Sequence, residues 1–195
     1  MIKKLTLGTL LIAFSQFGHA GTLISGQFGK TFSQALTTEE GLKLDLHDNN
    51  HVGISIERTI TGARYGLYYA SLDTHLQNQS EKQLDMNLYL FQSAVEFPIR
   101  EDISGYFGAH IGVNNIKPNW SESDSFFALG LYGGVEYQFT PEARVSFETR
   151  WVNTIIDNNS SVSCDSTTDD DQCLWHFDGD VLTQFQTSLG FSYRF

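Results

Sequence analysis

Val181-Leu182-Thr183-Gln184-Phe185-Gln186-Thr187-Ser188-Leu189-Gly190-Phe191-Ser192-Tyr193-Arg194-Phe195 alternates strictly for fifteen residues. One face carries Val181, Thr183, Phe185, Thr187, Leu189, Phe191, Tyr193 and Phe195; the other carries Leu182, Gln184, Gln186, Ser188, Gly190, Ser192 and Arg194. A period of two is the pattern of a strand with one apolar and one polar face. Seven more stretches upstream repeat it. Phe127, Leu129, Leu131, Val135 and Tyr137 oppose Ala128, Gly130, Tyr132, Gly134 and Glu136. Val145, Phe147, Thr149 and Trp151 oppose Ser146, Glu148 and Arg150; Phe107, Ala109, Ile111 and Val113 oppose Gly108, His110 and Gly112. Tyr89, Phe91, Val95 and Phe97 oppose Leu90, Gln92, Ala94 and Glu96; Tyr65, Leu67 and Tyr69 oppose Arg64, Gly66 and Tyr68. Val52, Ile54 and Ile56 oppose Gly53, Ser55 and Glu57. Ile24, Gly26, Phe28 and Phe32 oppose Ser25, Gln27, Gly29 and Thr31, with Lys30 a misfit on the apolar side.

Eight such strands with no helical period predict an all-β protein, an eight-stranded antiparallel up-and-down barrel. Connector lengths alternate. Arg58 to Ala63, Arg100 to Ile103 and Thr140 to Ala143 are short, whereas Ser33 to Asn50, His75 to Gln83, Lys117 to Ser125 and Asp157 to Asp180 are long. Short turns at one end and long loops at the other is the plan of a transmembrane barrel of the outer membrane, with the short turns in the periplasm. Leu42 to Leu46 also alternates, which leaves room for the second strand to start upstream of Val52.

A secreted lipocalin-type barrel would alternate too, but with its apolar face turned inward around a ligand. The polar face decides between them. Glu57, Arg64, Glu96, His110, Glu136, Glu148 and Arg150 alternate there with Gly, Ser and Ala. Charges among very small residues make a poor solvated surface and a sensible narrow lumen, where opposite charges pair and eight strands leave room only for side chains. The other face, dense in Phe, Tyr and Leu, suits lipid.

The N-terminus reads as an export signal. Lys3 and Lys4 precede an apolar run from Leu5 to Phe17, too short to span a bilayer as a helix, and Gly18-His19-Ala20 offers small residues for cleavage after Ala20. The alternative is a buried N-terminal helix. Residues 1–20 are therefore expected to be a signal peptide and 21–195 the barrel domain. Removing Lys3 and Lys4 from the 12 basic residues leaves 10 against 23 acidic ones, a balance that argues against nucleic acid as a partner. Cys164 and Cys173 would sit in an oxidising compartment, where a disulfide is the default and two free thiols the alternative; two ligands alone make a poor metal site.

Phe191, Tyr193 and the terminal Phe195 look like the assembly signature of outer-membrane proteins. Together with Arg64-Tyr65-Gly66-Leu67-Tyr68-Tyr69, and the segment from Phe126 through Phe195 with its two cysteines, they give residues 21–195 a resemblance to the OmpA-like outer-membrane β-barrel domain proteins of Gram-negative bacteria. The resemblance implies an outer-membrane location and recognition of the last strand by the barrel assembly machinery, with periplasmic chaperones on the way. It also implies contact with outer-membrane lipid and lipopolysaccharide, as a monomer. No peptidoglycan-binding domain follows the barrel in this sequence, so that anchoring role is not implied. Nothing in the resemblance is specific for an activity.

Three functions remain. The first is a non-enzymatic barrel with a structural or surface-interaction role and a lumen plugged by side chains. The second is a narrow, porin-like path for small solutes. The third is an enzyme modifying lipid A, which would need a serine activated by a histidine and oriented by a carboxylate. His47, His51 and His75 read as lying in or near loops, and no compact His/Ser pair marks a lipid-facing edge, so no catalytic residue is assigned. The last long loop carries Asp157, Asp165, Asp169, Asp170, Asp171, Asp178 and Asp180. It reads as a solvated acidic cluster, or as a weak divalent-cation site bridging to lipopolysaccharide phosphates. It lacks the spacing and glycine of an EF-hand, so no metal ligand and no cofactor is expected.

Overall fold

The computed structural model describes residues 21–34, 36–37, 43–44, 47–76, 79–119, 123–156 and 181–195. The strands, in chain order, are β1 (Thr22–Ser33), β2 (Leu36–Thr37), β3 (Lys43–Leu44), β4 (Asn49–Ile60), β5 (Ala63–Leu76), β6 (Gln79–Pro98), β7 (Ile103–Pro118), β8 (Asp124–Gln138), β9 (Ala143–Ile155) and β10 (Val181–Arg194). Eight of them close an antiparallel barrel in which every strand pairs with its neighbours in sequence and β1 closes on β10; β2 and β3 form a separate two-stranded ladder. The barrel is the architecture the alternation predicts, because a sheet with a lipid face can span a membrane only if every edge is paired.

Alternation sets the faces. In β10 Leu182, Gln184, Gln186, Ser188 and Ser192 are buried inside, whereas Val181, Phe185, Leu189, Phe191 and Tyr193 are exposed outside. Leu189 is 68 % exposed, although it is one of the most apolar residues of its strand. Lys30 lies on the outer face as read, where it approaches Asp48 at 3.8 Å and lies over the Phe32 ring.

The register determines the tilt. The ladder leaving β10 at Phe191 runs through Gly26, Ile54, Tyr69, Tyr89, Val113, Phe127 and Ile155, and returns to β10 at Val181. A full circuit therefore climbs by the separation of Phe191 and Val181. With eight strands about 4.8 Å apart and a rise of about 3.3 Å per residue, that stagger tilts the strands by roughly 40°.

Three connectors at one end are short: Thr61-Gly62, residues 99–102 and residues 139–142. Gly62 supplies the positive φ (72°) that lets Ile60 and Ala63 pair across a two-residue turn. At the other end, one expectation needs correction. His75 to Gln83 is not a long loop: β5 runs to Leu76 and β6 starts at Gln79, with a register shift at His75/Leu76. Polar residues there continue a ladder above the apolar face instead of leaving it, because hydrogen-bonded pairing does not need an apolar side. The second barrel strand does start upstream of Val52, at Asn49, while Lys43–Leu44 pairs with Leu36–Thr37. The signal-peptide reading of residues 1–20, the cysteines and the acidic loop all fall outside the described residues.

Candidate functional site: the lumen

The inward side chains of eight strands meet at the barrel axis, so strand alternation alone brings Glu57 (β4), Arg64 (β5), Glu96 (β6), His110 (β7), Glu136 (β8), Glu148 and Arg150 (β9) toward one space. All are buried except Glu96, whose side chain is 18 % exposed at the short-turn end.

They do not form isolated pairs. Arg64 Nη1 donates to Glu136 Oε1 at 2.6 Å, and its Nε and Nη1 lie 3.6 Å from Glu57 and Glu96 respectively. Arg144 donates to the other oxygen of Glu136 at 3.0 Å. Gln92 links the two halves of the network: its Nε2 donates to Glu57 (3.0 Å) and its Oε1 accepts from Arg150 Nη2 (2.8 Å). Arg150 also donates to Glu148 Oε1 at 2.9 Å, and Tyr106 donates its hydroxyl to Glu148 Oε2 at 2.8 Å. Arg150 Nη1 lies 3.2 Å from His110 Nδ1. One polar chain thus runs from Arg144 to Tyr106 through Glu136, Arg64, Glu57, Gln92, Arg150 and Glu148.

Aromatic rings cover the cations, one on Arg64 and two on Arg150. The Arg64 guanidinium lies 3.6 Å from the Tyr106 ring centroid; that of Arg150 lies 3.9 Å from Tyr68 and 4.6 Å from Tyr132. Stacking leaves the guanidinium edge free for carboxylates while covering its weakly hydrated faces. The rings need space, which glycines provide: a Cβ on Gly134 would come 2.5 Å from the Tyr106 hydroxyl, and one on Gly53 2.8 Å from that of Tyr68.

Arg144, Tyr68, Tyr106 and Tyr132 belong to this network but carry no role in the sequence reading, which places Gln92 among the lumen-filling side chains without its partners. Arg144 was within reach, because one further step of two from Ser146 places it in the lumen. The tyrosines were not, because a ring on the polar face gives no hint of which strand's arginine it will stack on.

A second group lies deeper. His51 is not in a loop but in β4, inside the barrel, with Nδ1 2.9 Å from Thr31 Oγ1 and Nε2 2.9 Å from Ser188 Oγ. A His/Ser pair therefore exists, facing the lumen and not a lipid-facing edge. Its histidine is oriented by a threonine hydroxyl, which cannot stabilise an imidazolium as a carboxylate does.

Toward the long-loop end the lumen turns apolar. Tyr68, Ala70, Leu88, Leu90, Ala128 and Val152 pack together, and beyond them Leu72, Met86, Ile116, Ile156 and Leu182 pack with Leu84 and Phe126. Asn114 bridges to Thr154 at 3.0 Å between these layers. The plug draws on consecutive inward residues of β6, Met86, Leu88 and Leu90, of which the sequence reading places only Leu90. Phe191, Tyr193 and Phe195 lie on the outer surface at the short-turn end, with Tyr193 and Phe195 in edge-to-face contact.

No protein-family profile matches the chain. No curated protein sequence matches it either. Solved structures do. Neisserial surface protein A superposes with a TM-score of 0.61 at 13 % identity, over 89 % of this chain and 97 % of that one. OprG of Pseudomonas aeruginosa gives 0.57 at 12 % identity, over 90 % and 96 %, and AlkL, solved in lipid bilayers, gives 0.56 at 13 %, over 90 % of each chain. At such identities the likeness is one of fold. The chain has the fold of the small eight-stranded outer-membrane β-barrels of Gram-negative bacteria.

Proposed function

We propose that this protein is a non-enzymatic outer-membrane barrel that acts at the cell surface, in a structural or interaction role, around a lumen closed to solutes. The observation that carries the reading is the filling of the lumen along its length: the charge network with its stacked tyrosines at the short-turn end, and two packed apolar layers at the other. An ion entering from the periplasmic end would have to displace buried, paired charges and then pass packed apolar side chains, which disfavour conduction by excluding water. A narrow pore for small solutes is the second reading; the exposed edge of Glu96 is the one feature that favours it. The His51–Ser188 pair faces the filled lumen, with no carboxylate in the orienting position, and this supports assigning no lipid A-modifying activity.

The rest of the reading follows from this location. Residues 1–20 direct export and are removed, Cys164 and Cys173 form a disulfide, and Phe191, Tyr193 and Phe195 present the last strand to the assembly machinery. Planar-bilayer recording of the purified protein tests the closed lumen: silent insertion is expected, and regular unitary steps would establish the pore reading instead.

A further inference from the structure

Between the charge network and the apolar layers, the lumen wall is built from its smallest residues. Gly29 (β1), Gly53 (β4), Ala70 (β5), Gly112 (β7) and Gly130 (β8) all occupy inward positions of their strands. At the tilt given above the ladder climbs about 3 Å per strand, which brings these five within roughly 5 Å of one height. The remaining strands, β6, β9 and β10, bring Leu90, Arg150 and Gln186 to it. Five of the eight strands thus add no side chain beyond a Cβ here, in a lumen that eight full side chains would just fill.

Polar groups without partners gather at the same height. Gln186 is fully buried, and among the described residues neither its Oε1 nor its Nε2 has a hydrogen-bond partner. Arg150 stands directly opposite it in the β9–β10 ladder; its Nη atoms serve His110, Gln92 and Glu148, and its buried Nε has no partner. A guanidinium only donates, so His110 Nδ1 accepts from Arg150 and the ring proton sits on Nε2. That N–H is buried and unpartnered as well, and so is the Tyr68 hydroxyl, which reaches the wall at Gly53. Groups left in this way would carry their whole desolvation penalty.

From this arrangement we infer that the glycine-lined height is a binding site for buried water, a wet chamber enclosed within the barrel. The inference rests on the closed-lumen reading above and refines it: the lumen is blocked without being dry throughout. The chemistry selects water. Arg150 Nε, His110 Nε2 and Gln186 Nε2 donate, whereas Gln186 Oε1 accepts and the Tyr68 hydroxyl does both, so the ligand must do both. Arg150 is already paired with Glu148 at 2.9 Å, so an ion would bring a charge with nothing to balance it. A buried water is neutral and makes about three hydrogen bonds to groups of this kind. Leu88, Ala128 and Val152, with Leu72 and Met86 beyond, close the chamber toward the long loops, and the Arg64–Glu136–Arg144 cluster closes it toward the short turns.

The test is water-to-protein magnetisation transfer in solid-state NMR, on residues 21–195 folded into phosphatidylcholine vesicles with deuterated acyl chains. Transfer should reach the Gln186 side-chain amide and the His110 Nε2 proton fast, and the methyl groups of Leu72 and Leu88 slowly. Slow transfer to all four would mean a dry lumen and overturn the chamber. Fast transfer to all four would mean water running through the apolar layers, and would overturn instead the closed-lumen reading on which the chamber stands. Gln186→Met gives an independent measurement, the unfolding rate in the same vesicles, because it keeps the length of the side chain and deletes both polar ends. With water bound, the variant forfeits hydrogen bonds and should unfold about fivefold faster, on the scale of one net hydrogen bond. Slower unfolding than the unmodified protein, the result of deleting an unpaired amide from a dry interior, would overturn the proposal.

Discussion

Arg150 is the most informative residue to remove. It is 1 % exposed, lies between Tyr68 and Tyr132, and donates to both Glu148 and Gln92. Arg150→Met keeps much of its volume and its stacking against the rings but leaves Glu148 buried with Tyr106 as its remaining partner. Two charges about 4 Å apart in surroundings of effective dielectric near 20 interact by about 4 kcal/mol. Breaking one side of a buried pair typically costs about 3–5 kcal/mol, because the survivor keeps its desolvation penalty. Arg150→Met should therefore lower unfolding stability by about 3–5 kcal/mol. Adding Glu148→Gln removes the stranded charge, so the double variant should be more stable than the sum of the two single losses by roughly 2 kcal/mol or more. Urea titration of the folded fraction in lipid vesicles measures all four corners of the cycle. Strict additivity would refute the account of the lumen as a coupled charge network and would reduce Arg150 to a space-filler.

Three further outcomes follow. Leu189→Arg places a cation on the lipid face near mid-membrane and should cost roughly 2–4 kcal/mol in bilayer unfolding experiments, whereas Ser188→Arg, one residue away inside the lumen, should act by crowding His51; indifference to Leu189→Arg would mean that this face does not meet lipid. Phe195→Asp should leave secretion intact and reduce assembled barrel in the outer-membrane fraction, and unchanged abundance there would argue against the C-terminal signal. Cys164 and Cys173 should resist thiol alkylation until reduced, while their replacement by serine should leave the barrel folded; full labelling without reductant would remove the disulfide.

The legibility of the sequence followed the distance over which the determining physics acts. Which residues of β10 face lipid was readable, because pleating acts between neighbours and any break in the period would have shown. The existence of eight strands was readable for the same reason. The ends of β5 and β6 were not, since Gln79 to Gln83 is polar and its pairing depends on a partner strand and not on an apolar face. His51 was misplaced because its one-step offset from an exposed run looked like a loop until Ser188 came opposite it through the β1–β10 closure. Gln92 could be placed inside, but its position between Glu57 and Arg150 depends on three strands meeting across the axis. The apolar layers around Leu88 and Met86 draw on the part of β6 before Tyr89, where the sequence reading assigns no strand residue, so the row Met86, Leu88, Leu90 went unread.

The pairing of β1 with β10 has a consequence for biogenesis. Leu23 lies opposite Arg194, and Thr22 accepts from the Phe195 amide, so the seam joins strands near the two ends of the described chain. Hairpins such as β6–β7 can form from local contacts, but the seam must wait for the final strand to arrive, and until then two sheet edges remain open to any passing strand. Closure therefore comes last, and the interval before it, when pairing between chains competes in proportion to concentration, is when a chaperone that shields edges matters most. Once the seam shuts, the eight barrel strands have no open edge, so the finished barrel should show slow backbone amide exchange around its whole circumference, β1 and β10 included.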